Sequence, residues 1–130
     1  MSGIKKLDLL MHSMQPKQIK GKFVFCAVPS RQFKKLKIEP ILVFREKEGI
    51  TLILEKKTAD QKLLAYQNTW AMITLTVHSD LSAVGFLAAV TKKLAENQIS
   101  VNAVSAYYHD HLFVPYGKAK KAMNVLKKSN

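Results

Sequence analysis

The sequence predicts an α+β fold, a ferredoxin-like βαββαβ sandwich, from two patterns in the second half of the chain. In residues 70–79 apolar and polar side chains alternate, as they do in a strand with one buried face. Residues 80–98 instead carry a helical stripe of apolar side chains, with Lys92, Lys93 and Glu96 turned away from it. A strand and a helix followed by two more strands form the split motif of such a sandwich.

The predicted strand and helix each have a defined face. The buried face of the strand consists of Ile73, Leu75 and Val77. Its opposite face consists of Met72, Thr74 and Thr76. The apolar stripe of the helix consists of Val84, Leu87, Ala88, Leu94 and Ala95. The residues whose side-chain oxygens could cap the first-turn N–H groups of this helix are Ser79, Asp80 and Ser82.

A β-hairpin and a helix complete the second half. Residues 99–108 predict a strand, His109 and Asp110 a tight turn, and residues 111–115 the returning strand. The closing helix, in residues 118–128, turns four apolar residues inward, namely Ala119, Ala122, Met123 and Leu126. With one strand borrowed from the first half, this order completes the sandwich.

The first half predicts one helix, three strands and a second helix. These are a helix over residues 3–14, a strand over 21–29, a hairpin over 40–57 and a helix over 58–67. Gly49 supplies a permissive backbone in the hairpin. Thr58 is the predicted N-cap of the second helix, with Gln61 completing a capping box. We therefore expect two halves that share strands, residues 1–68 and residues 69–130.

The chain carries a formal net charge of +12, which is unevenly distributed. Residues 1–68 hold 14 Lys/Arg and 6 Asp/Glu, residues 69–111 hold 2 and 3, and residues 112–130 hold 5 and none. Nineteen of the 21 basic residues are lysines, whereas base and phosphate recognition relies on the bidentate guanidinium of arginine. The composition therefore argues against specific nucleic-acid recognition.

The basic segment RQFKKLKIEP interleaves Phe33 with Arg31, Lys34, Lys35 and Lys37. Such interleaving occurs in grooves that stack nucleobases between cationic side chains. A solvated basic loop or a short helix produces the same pattern, and this is the interpretation that we favour.

Composition also bounds the location and chemistry of the protein. No apolar run approaches the roughly 18 residues of a membrane span. Asp8 and His12 interrupt the apolar core that a signal peptide needs, so we expect a cytoplasmic protein. Cys26 is the single cysteine, which excludes an intramolecular disulfide, and its apolar neighbours predict a buried thiol. No cofactor is expected.

The segment YHDH raises the question of a metal site. In β-α-β-β order the loop after the first strand and the later hairpin lie at one end of the sheet, so this segment neighbours His78. Imidazole and carboxylate groups are typical zinc ligands. The candidate ligands are His78, His109, Asp110 and His111. An aspartate that accepts backbone hydrogen bonds in a tight turn explains the same residues, and we favour it over a metal.

No catalytic residues are predicted. A histidine that acts as a general base needs a substrate pocket and, in most enzymes, a nucleophile beside it. The sequence contains no GxSxG, no HExxH and no glycine-rich phosphate loop. We therefore expect a protein without enzymatic activity.

The stretch ITLTVHSDLSAVGFLAAVTKKLAENQISVNAVSAYYHDHLFVP resembles the ACT domain, a small ligand-binding module of enzymes regulated by amino acids. The shared features are a strand, a loop with Asp and Gly, a helix and the entry of a second strand. The whole arrangement is similar to small stand-alone ACT-like bacterial proteins, related to the tandem ACT modules of aspartokinase and of the TOR-pathway arginine sensor. The resemblance implies a divergent ACT-like unit in residues 1–68 and an ACT domain in residues 69–130.

The chain departs from the ACT pattern at two positions. Gln98 stands where the family has a glycine, and its Cβ makes a left-handed helix exit costly, so the loop is expected to differ there. Ser100 matches a serine-binding Asn of the phosphoglycerate dehydrogenase regulatory domain, which argues against serine as a ligand. The nearest Asn is Asn102, on the same strand face as Ser100.

The resemblance implies a regulatory protein that binds a small molecule, in the first instance an amino acid. N–H groups after Ser79 and Asp80 would hold an α-carboxylate, Asp80 would pair with an α-ammonium, and Gly85 would let a ligand approach the helix. Plain capping by Asp80 and close helix packing at Gly85 explain these residues equally well. The candidate ligand-binding residues are His78, Ser79, Asp80, Leu81, Gly85, Ser100 and Asn102.

A homodimer is expected from the resemblance and from the need to cover edge strands. Two other functions stay open. The chain could be a basic protein that binds nucleic acid or an acidic partner, in which case its affinity would fall steeply with salt. It could also be a structural dimerisation module that binds no ligand.

Overall fold

The computed structural model describes residues 2–76 and 85–128; in the first helix it describes the side chains of Leu7 and of residues 9–13. The helices are α1 (Ser2–Ser13), α2 (Ser30–Leu36), α3 (Lys56–Gln61), α4 (Phe86–Glu96) and α5 (Ala119–Lys127). The strands are β1 (Gln15–Val28), β2 (Leu42–Arg45), β3 (Ile50–Glu55), β4 (Trp70–Thr76), β5 (Asn102–Ser105) and β6 (Asp110–Pro115). A 3-10 turn, Tyr116–Lys118, precedes α5. This order confirms the predicted α+β fold.

The chain packs as two compact units that share one long strand. The first unit is Met1–Lys20 with Ala71–Asn130, and the second is Gly21–Trp70. β1 contributes its first part to the first unit and its remaining part to the second, which confirms that the two halves share a strand. Helix α1 packs against α4, so the N-terminal residues belong to the same packing unit as the second half of the chain. The division into domains 1–68 and 69–130 is a division along the sequence, and it stays a prediction.

In the first unit the strands are ordered β1–β4–β6–β5. Helices α1, α4 and α5 cover one face of this sheet and enclose a core with β4 and β6. The predicted alternation in β4 is confirmed at Ile73 and Leu75, which are buried, and Val77 lies outside the described residues. The closing helix is also confirmed, with Ala119, Ala122 and Leu126 buried and Met123 half-buried.

The apolar stripe predicted for α4 is wrong in part. The buried residues of this helix are Phe86, Val90 and Leu94, spaced four apart. Of the predicted stripe, Leu94 is buried and Leu87 half-buried, Ala88 and Ala95 are exposed, and Val84 lies outside the described residues. Because residues four apart lie on one face of a helix, Phe86, Val90 and Leu94 form the face that packs in the core.

In the second unit the strand order is β2–β3–β1, and every pair is antiparallel. The core lies between this sheet and helices α2 and α3. The predicted hairpin is confirmed, since Glu46 and Gly49 exchange backbone hydrogen bonds of 2.9 and 3.3 Å at its end. The basic segment after Pro29 is the short helix α2, one of the forms expected from the sequence.

The predicted N-cap at Thr58 is wrong. Helix α3 begins at Lys56, directly after β3, and its N-cap residue is Glu55, which makes no side-chain capping bond. Thr58 therefore lies inside the helix. Strand β3 is paired up to Glu55, so pairing in the sheet fixes where the helix begins and overrides the local capping signal.

Cys26 is buried in the second unit, as predicted, and burial raises the pKa of its thiol. A thiol whose ionised form is disfavoured in this way is a poor nucleophile. Among the described residues, no helix has the length and apolar character needed to cross a membrane.

Candidate functional site

Thr74 and His111 connect two neighbouring strands of the first unit. Oγ1 of Thr74 lies 2.9 Å from Nδ1 of His111, and both side chains are half-buried. Thr74 lies on the face of β4 opposite Ile73, and hence on the face away from the helices. The contact and the strand order confirm that β4 and β6 are adjacent, so the C-terminal end of β4 and the start of β6 lie together.

The hairpin between β5 and β6 turns at its tyrosines rather than at His109-Asp110. The backbone N–H of Ala106 donates to the carbonyl of His109 at 3.0 Å, which places Tyr107 and Tyr108 at the exposed corner. Asp110 is the first residue of β6 and lies opposite Ser105. Its Oδ1 accepts a hydrogen bond of 2.6 Å from the Ser105 hydroxyl. The predicted turn is therefore displaced by two residues, because Asp110 is held in the strand pair.

His111 is biased towards its neutral form. Burial and the neighbouring His109 lower the pKa of His111, and the carboxylate of Asp110 offsets part of this effect. A neutral imidazole has one donor and one acceptor nitrogen. Since Nδ1 is engaged by Thr74, Nε2 is the ring atom through which His111 can contact a ligand. The arrangement can therefore form an uncharged, directional hydrogen bond.

The candidate metal ligands come together only in part. The ring centroids of His109 and His111 lie 6.2 Å apart, and Asp110 accepts its hydrogen bond from Ser105. Within residues 2–76 and 85–128, no three His, Cys, Asp or Glu side chains form a group that could hold a metal ion. His78, the fourth candidate, lies outside the described residues.

Four of the candidate ligand-binding residues also fall outside the described part of the chain, namely His78, Ser79, Asp80 and Leu81. Gly85 is described and is the N-cap residue of α4, with φ of 85° in the left-handed region. Among residues 2–76 and 85–128, the atom nearest to a Cβ at this position would be Leu7 Cδ2, at 4.0 Å. This left-handed backbone conformation is one that glycine adopts without strain and that other residues rarely adopt.

Gln98 adopts the left-handed conformation that its side chain makes costly. Its φ is 61°, and its N–H donates to the carbonyl of Ala95 at 3.0 Å. The N–H of Ile99 donates to the carbonyl of Leu94, also at 3.0 Å. These two bonds form a Schellman motif, in which buried Ile99 and Leu94 also lie in the same core. The two bonds are retained with a glutamine at this position, so the left-handed helix exit forms although Gln98 has a Cβ. That the loop differs from the family pattern stays a prediction.

Ser100 and Asn102 lie where the chain enters β5, an edge strand of the first unit, and both are exposed. Asn102 is paired with Phe113 in the register of the hairpin. Val104, two residues further on, is paired with His111. Asn102 and His111 therefore lie on the same face of the sheet, which the sequence did not predict.

Comparison with known families identifies both halves of the chain. Residues 2–71 match the ACT domain family, and residues 66–128 match it a second time. The chain belongs to the ACT domain family. The two matches overlap at residues 66–71. Tandem ACT domains therefore explain why the order β-α-β-β occurs twice, as β1-α2-β2-β3 and as β4-α4-β5-β6.

Solved structures are similar to this tandem ACT chain over most of its length. A Vibrio cholerae protein of unknown function, described as a possible transport protein, is 48% identical, covers 98% of both chains and has a TM-score of 0.90. A protein from Agrobacterium tumefaciens is 15% identical, covers 89% of this chain and 88% of its own, and has a TM-score of 0.71. The regulatory subunit of aspartate kinase from Thermus thermophilus is 10% identical, covers 88% and 97%, and has a TM-score of 0.69. A comparison with curated proteins found no significant match.

Sequence reasoning missed two contacts of the ACT fold. Thr74 was assigned only to the face away from the core, and its bond to His111 depends on strand adjacency across 37 residues. Arg45 was not singled out, yet its guanidinium lies over the ring of Phe33 in the second unit. A short apolar strand that ends in a single arginine, close in sequence to a basic segment containing Phe33, is the signal that could have indicated this second contact.

Proposed function

We propose that this ACT protein is a cytoplasmic regulatory protein that binds an amino acid and has no catalytic activity of its own. The observation that carries the proposal is the match of both halves to a family of small-molecule-binding regulatory domains. The regulatory subunit of aspartate kinase, which has the same fold, supports a regulatory role.

The proposed site lies in the first unit, at the end where β4 finishes and β6 begins. Helix α4 begins at Phe86, so the N–H groups that follow Ser79 and Asp80 lie in the connection between β4 and α4. These groups would bind the α-carboxylate, and the Asp80 carboxylate would pair with the α-ammonium. Gly85 presents no side chain at the start of α4, so a ligand could approach the positive end of that helix. His78 and Leu81 would line the same connection.

We further propose that a homodimer completes the site. Ser100 and Asn102 are exposed at the edge strand β5, where a second copy could pair and cover the open backbone groups of that edge. Their hydroxyl and amide groups would then face a ligand held by the β4–α4 connection of the partner. Dimerisation and ligand binding would be coupled, because each copy would supply part of the site.

The proposal is tested by thermal shift and isothermal titration calorimetry with each of the twenty amino acids, with EDTA and with added Zn²⁺. A ligand present at a hundred times its Kd stabilises the native state by about 2.7 kcal/mol. We expect one or a few amino acids to raise the Tm, and Asp80→Ala and Asn102→Ala to abolish this rise. Asn124→Ala, at an exposed Asn of α5, is the matched control and should retain it.

Three outcomes would contradict parts of the proposal. If no amino acid shifts the Tm or releases heat, the ligand class is wrong. A shift with Zn²⁺ alone would favour the histidines as metal ligands. Binding to an oligonucleotide or acidic polymer that weakens steeply with salt would instead favour the alternative suggested by the charge of +12.

A further inference from the structure

A groove lies in the second unit, between helix α2 and the edge strand β2. It is lined by Phe33, Val43, Phe44 and Arg45 and has a volume of about 570 Å³. We call it the α2–β2 groove. The groove is shallow and largely open to solvent, so it would cover one side of a ligand rather than enclose it. Its lining of apolar side chains with one charged group is the combination that small-molecule sites use.

The strand register explains why these residues meet. Val43 lies opposite Leu52 and Arg45 opposite Ile50, and both partners belong to the core beneath α2 and α3. Val43 and Arg45 therefore face the helices, whereas Phe44 between them belongs to the other face and is 60% exposed. Phe33 packs against the same core from α2. The groove thus has an apolar floor, an aromatic wall and a cationic end.

Arg45 is oriented by an aromatic ring. Its guanidinium carbon lies 5.9 Å from the centroid of the Phe33 ring, which is within the range of a cation–π interaction. A guanidinium held over a ring keeps its in-plane N–H donors, and these match the two oxygens of a carboxylate. The charge at the end of the groove is therefore suited to an anion with a planar, forked acceptor.

The charges in and around the groove disfavour the binding of an ammonium group. None of the four lining residues is acidic. The adjacent carboxylate, Glu46, accepts a hydrogen bond from the Thr51 hydroxyl. The segment from Arg31 to Arg45 holds five cations and one acid, Glu39. A zwitterionic amino acid would bring its ammonium into this positive field, and a simple carboxylate would not.

We propose that the α2–β2 groove is a second ligand site, which binds an organic acid with one carboxylate on an apolar, preferably aromatic body and no amino group. The carboxylate pairs with Arg45, and the body packs against Phe33 and Val43. This site is separate from the amino-acid site proposed above, since all of its lining residues belong to the second unit. A tandem ACT protein with both sites would respond to two chemically different ligands.

Phenylacetate is the probe, and L-phenylalanine is the zwitterionic comparison with a similar body. Amide chemical shifts of the full chain are recorded during titration with each compound at low ionic strength. We expect phenylacetate to shift the amides of residues 33 and 43–45, and to bind at least tenfold more tightly there than L-phenylalanine. Arg45→Gln should weaken phenylacetate binding at least tenfold. Arg31→Gln, at an exposed arginine of α2, should change it less than twofold.

Equal affinity for the two probes, or an unchanged affinity in Arg45→Gln, would overturn the proposal. So would the absence of shifts at residues 33 and 43–45 with phenylacetate at 10 mM, or tighter binding of an oligothymidylate at the same amides. The result is independent of the amino-acid site, because a ligand of that site shifts the amides around Asn102 and His111. Failure of one proposal can therefore be distinguished from failure of the other.

Discussion

The hydroxyl of Thr74 lies 2.9 Å from Nδ1 of His111, which links the middle of β4 to the start of β6. The contact fixes one imidazole at the end of the sheet where the ACT ligand site is proposed. Burial and His109 lower the pKa of this imidazole. Its protonation therefore connects the stability of the hairpin with pH.

The stability of the protein should fall as pH decreases through the ordinary histidine pKa of 6.5. The folded pKa of His111 is lower than the unfolded one, so the unfolded chain binds more protons below this pH and gains stability relative to the native state. The contribution is fully present above pH 6.5 and is lost as pH falls towards the folded pKa. Urea unfolding at pH 7.5 and pH 5 measures the difference.

Two variants isolate His111 in this experiment. His111→Asn keeps a polar atom near Thr74 and removes the titrating group, so the loss of stability at pH 5 should become smaller. His109→Asn removes the neighbouring charge and should raise the pKa of His111, as followed by the Cε1 proton in NMR titration. If the pH dependence is the same in His111→Asn as in the wild type, another group is responsible for it.

Gln98→Gly should stabilise the protein by about 0.5–1 kcal/mol. A left-handed conformation costs a residue with a Cβ about 1–2 kcal/mol, and the greater freedom of glycine in the unfolded chain offsets part of the gain. The Schellman bonds at Ala95 and Leu94 are made by backbone atoms and remain. Urea unfolding checks this. Gln98→Ala, which retains the Cβ, should give no such increase.

Much of the fold follows from side-chain periodicity, because burial of one face is enough to specify it. Alternation in β4 placed Ile73 and Leu75 correctly, and helical spacing placed Ala122 and Leu126 on the buried face of α5. Errors arose where pairing across the sheet decides local structure. Asp110 is a favourable turn residue, but its pairing with Ser105 keeps it in β6.

The candidate site was less predictable than the fold, for two physical reasons. The apolar pattern continues without a break across Gly85, so the sequence does not mark Phe86 as the first residue of α4. Contacts between distant segments, such as Arg45 with Phe33, depend on register and on helix placement together. Periodicity identifies the buried face of an element and leaves open which groups meet on the exposed one.

Gly85→Ala should destabilise the protein by about 1–2 kcal/mol, because alanine pays the cost of a left-handed backbone. Among the described residues the atom nearest to an added Cβ is Leu7 Cδ2, at 4.0 Å, so the expected cost is that of the backbone conformation. Gly85→Asn should cost less than Gly85→Ala, since Asn tolerates this conformation better. Thermal unfolding of both variants is the measurement, and equal losses would indicate that packing rather than backbone conformation requires the glycine.

Gly49→Ala should destabilise the protein by about 1–3 kcal/mol. Both an unfavourable backbone conformation and a close contact of the new Cβ contribute to this loss. The residue has φ of 156°, and an added Cβ would lie 3.1 Å from the carbonyl oxygen of Val28. That oxygen belongs to β1, which is paired with β3 along six residues and has little freedom to move. Gly117→Ala is the matched control, because a Cβ there meets no atom of the described residues within 4 Å. It should change the free energy of unfolding by less than about 0.5 kcal/mol. A similar effect of both substitutions in urea unfolding would refute the close approach of β1 to the β2–β3 hairpin. A loss confined to Gly49→Ala would support it.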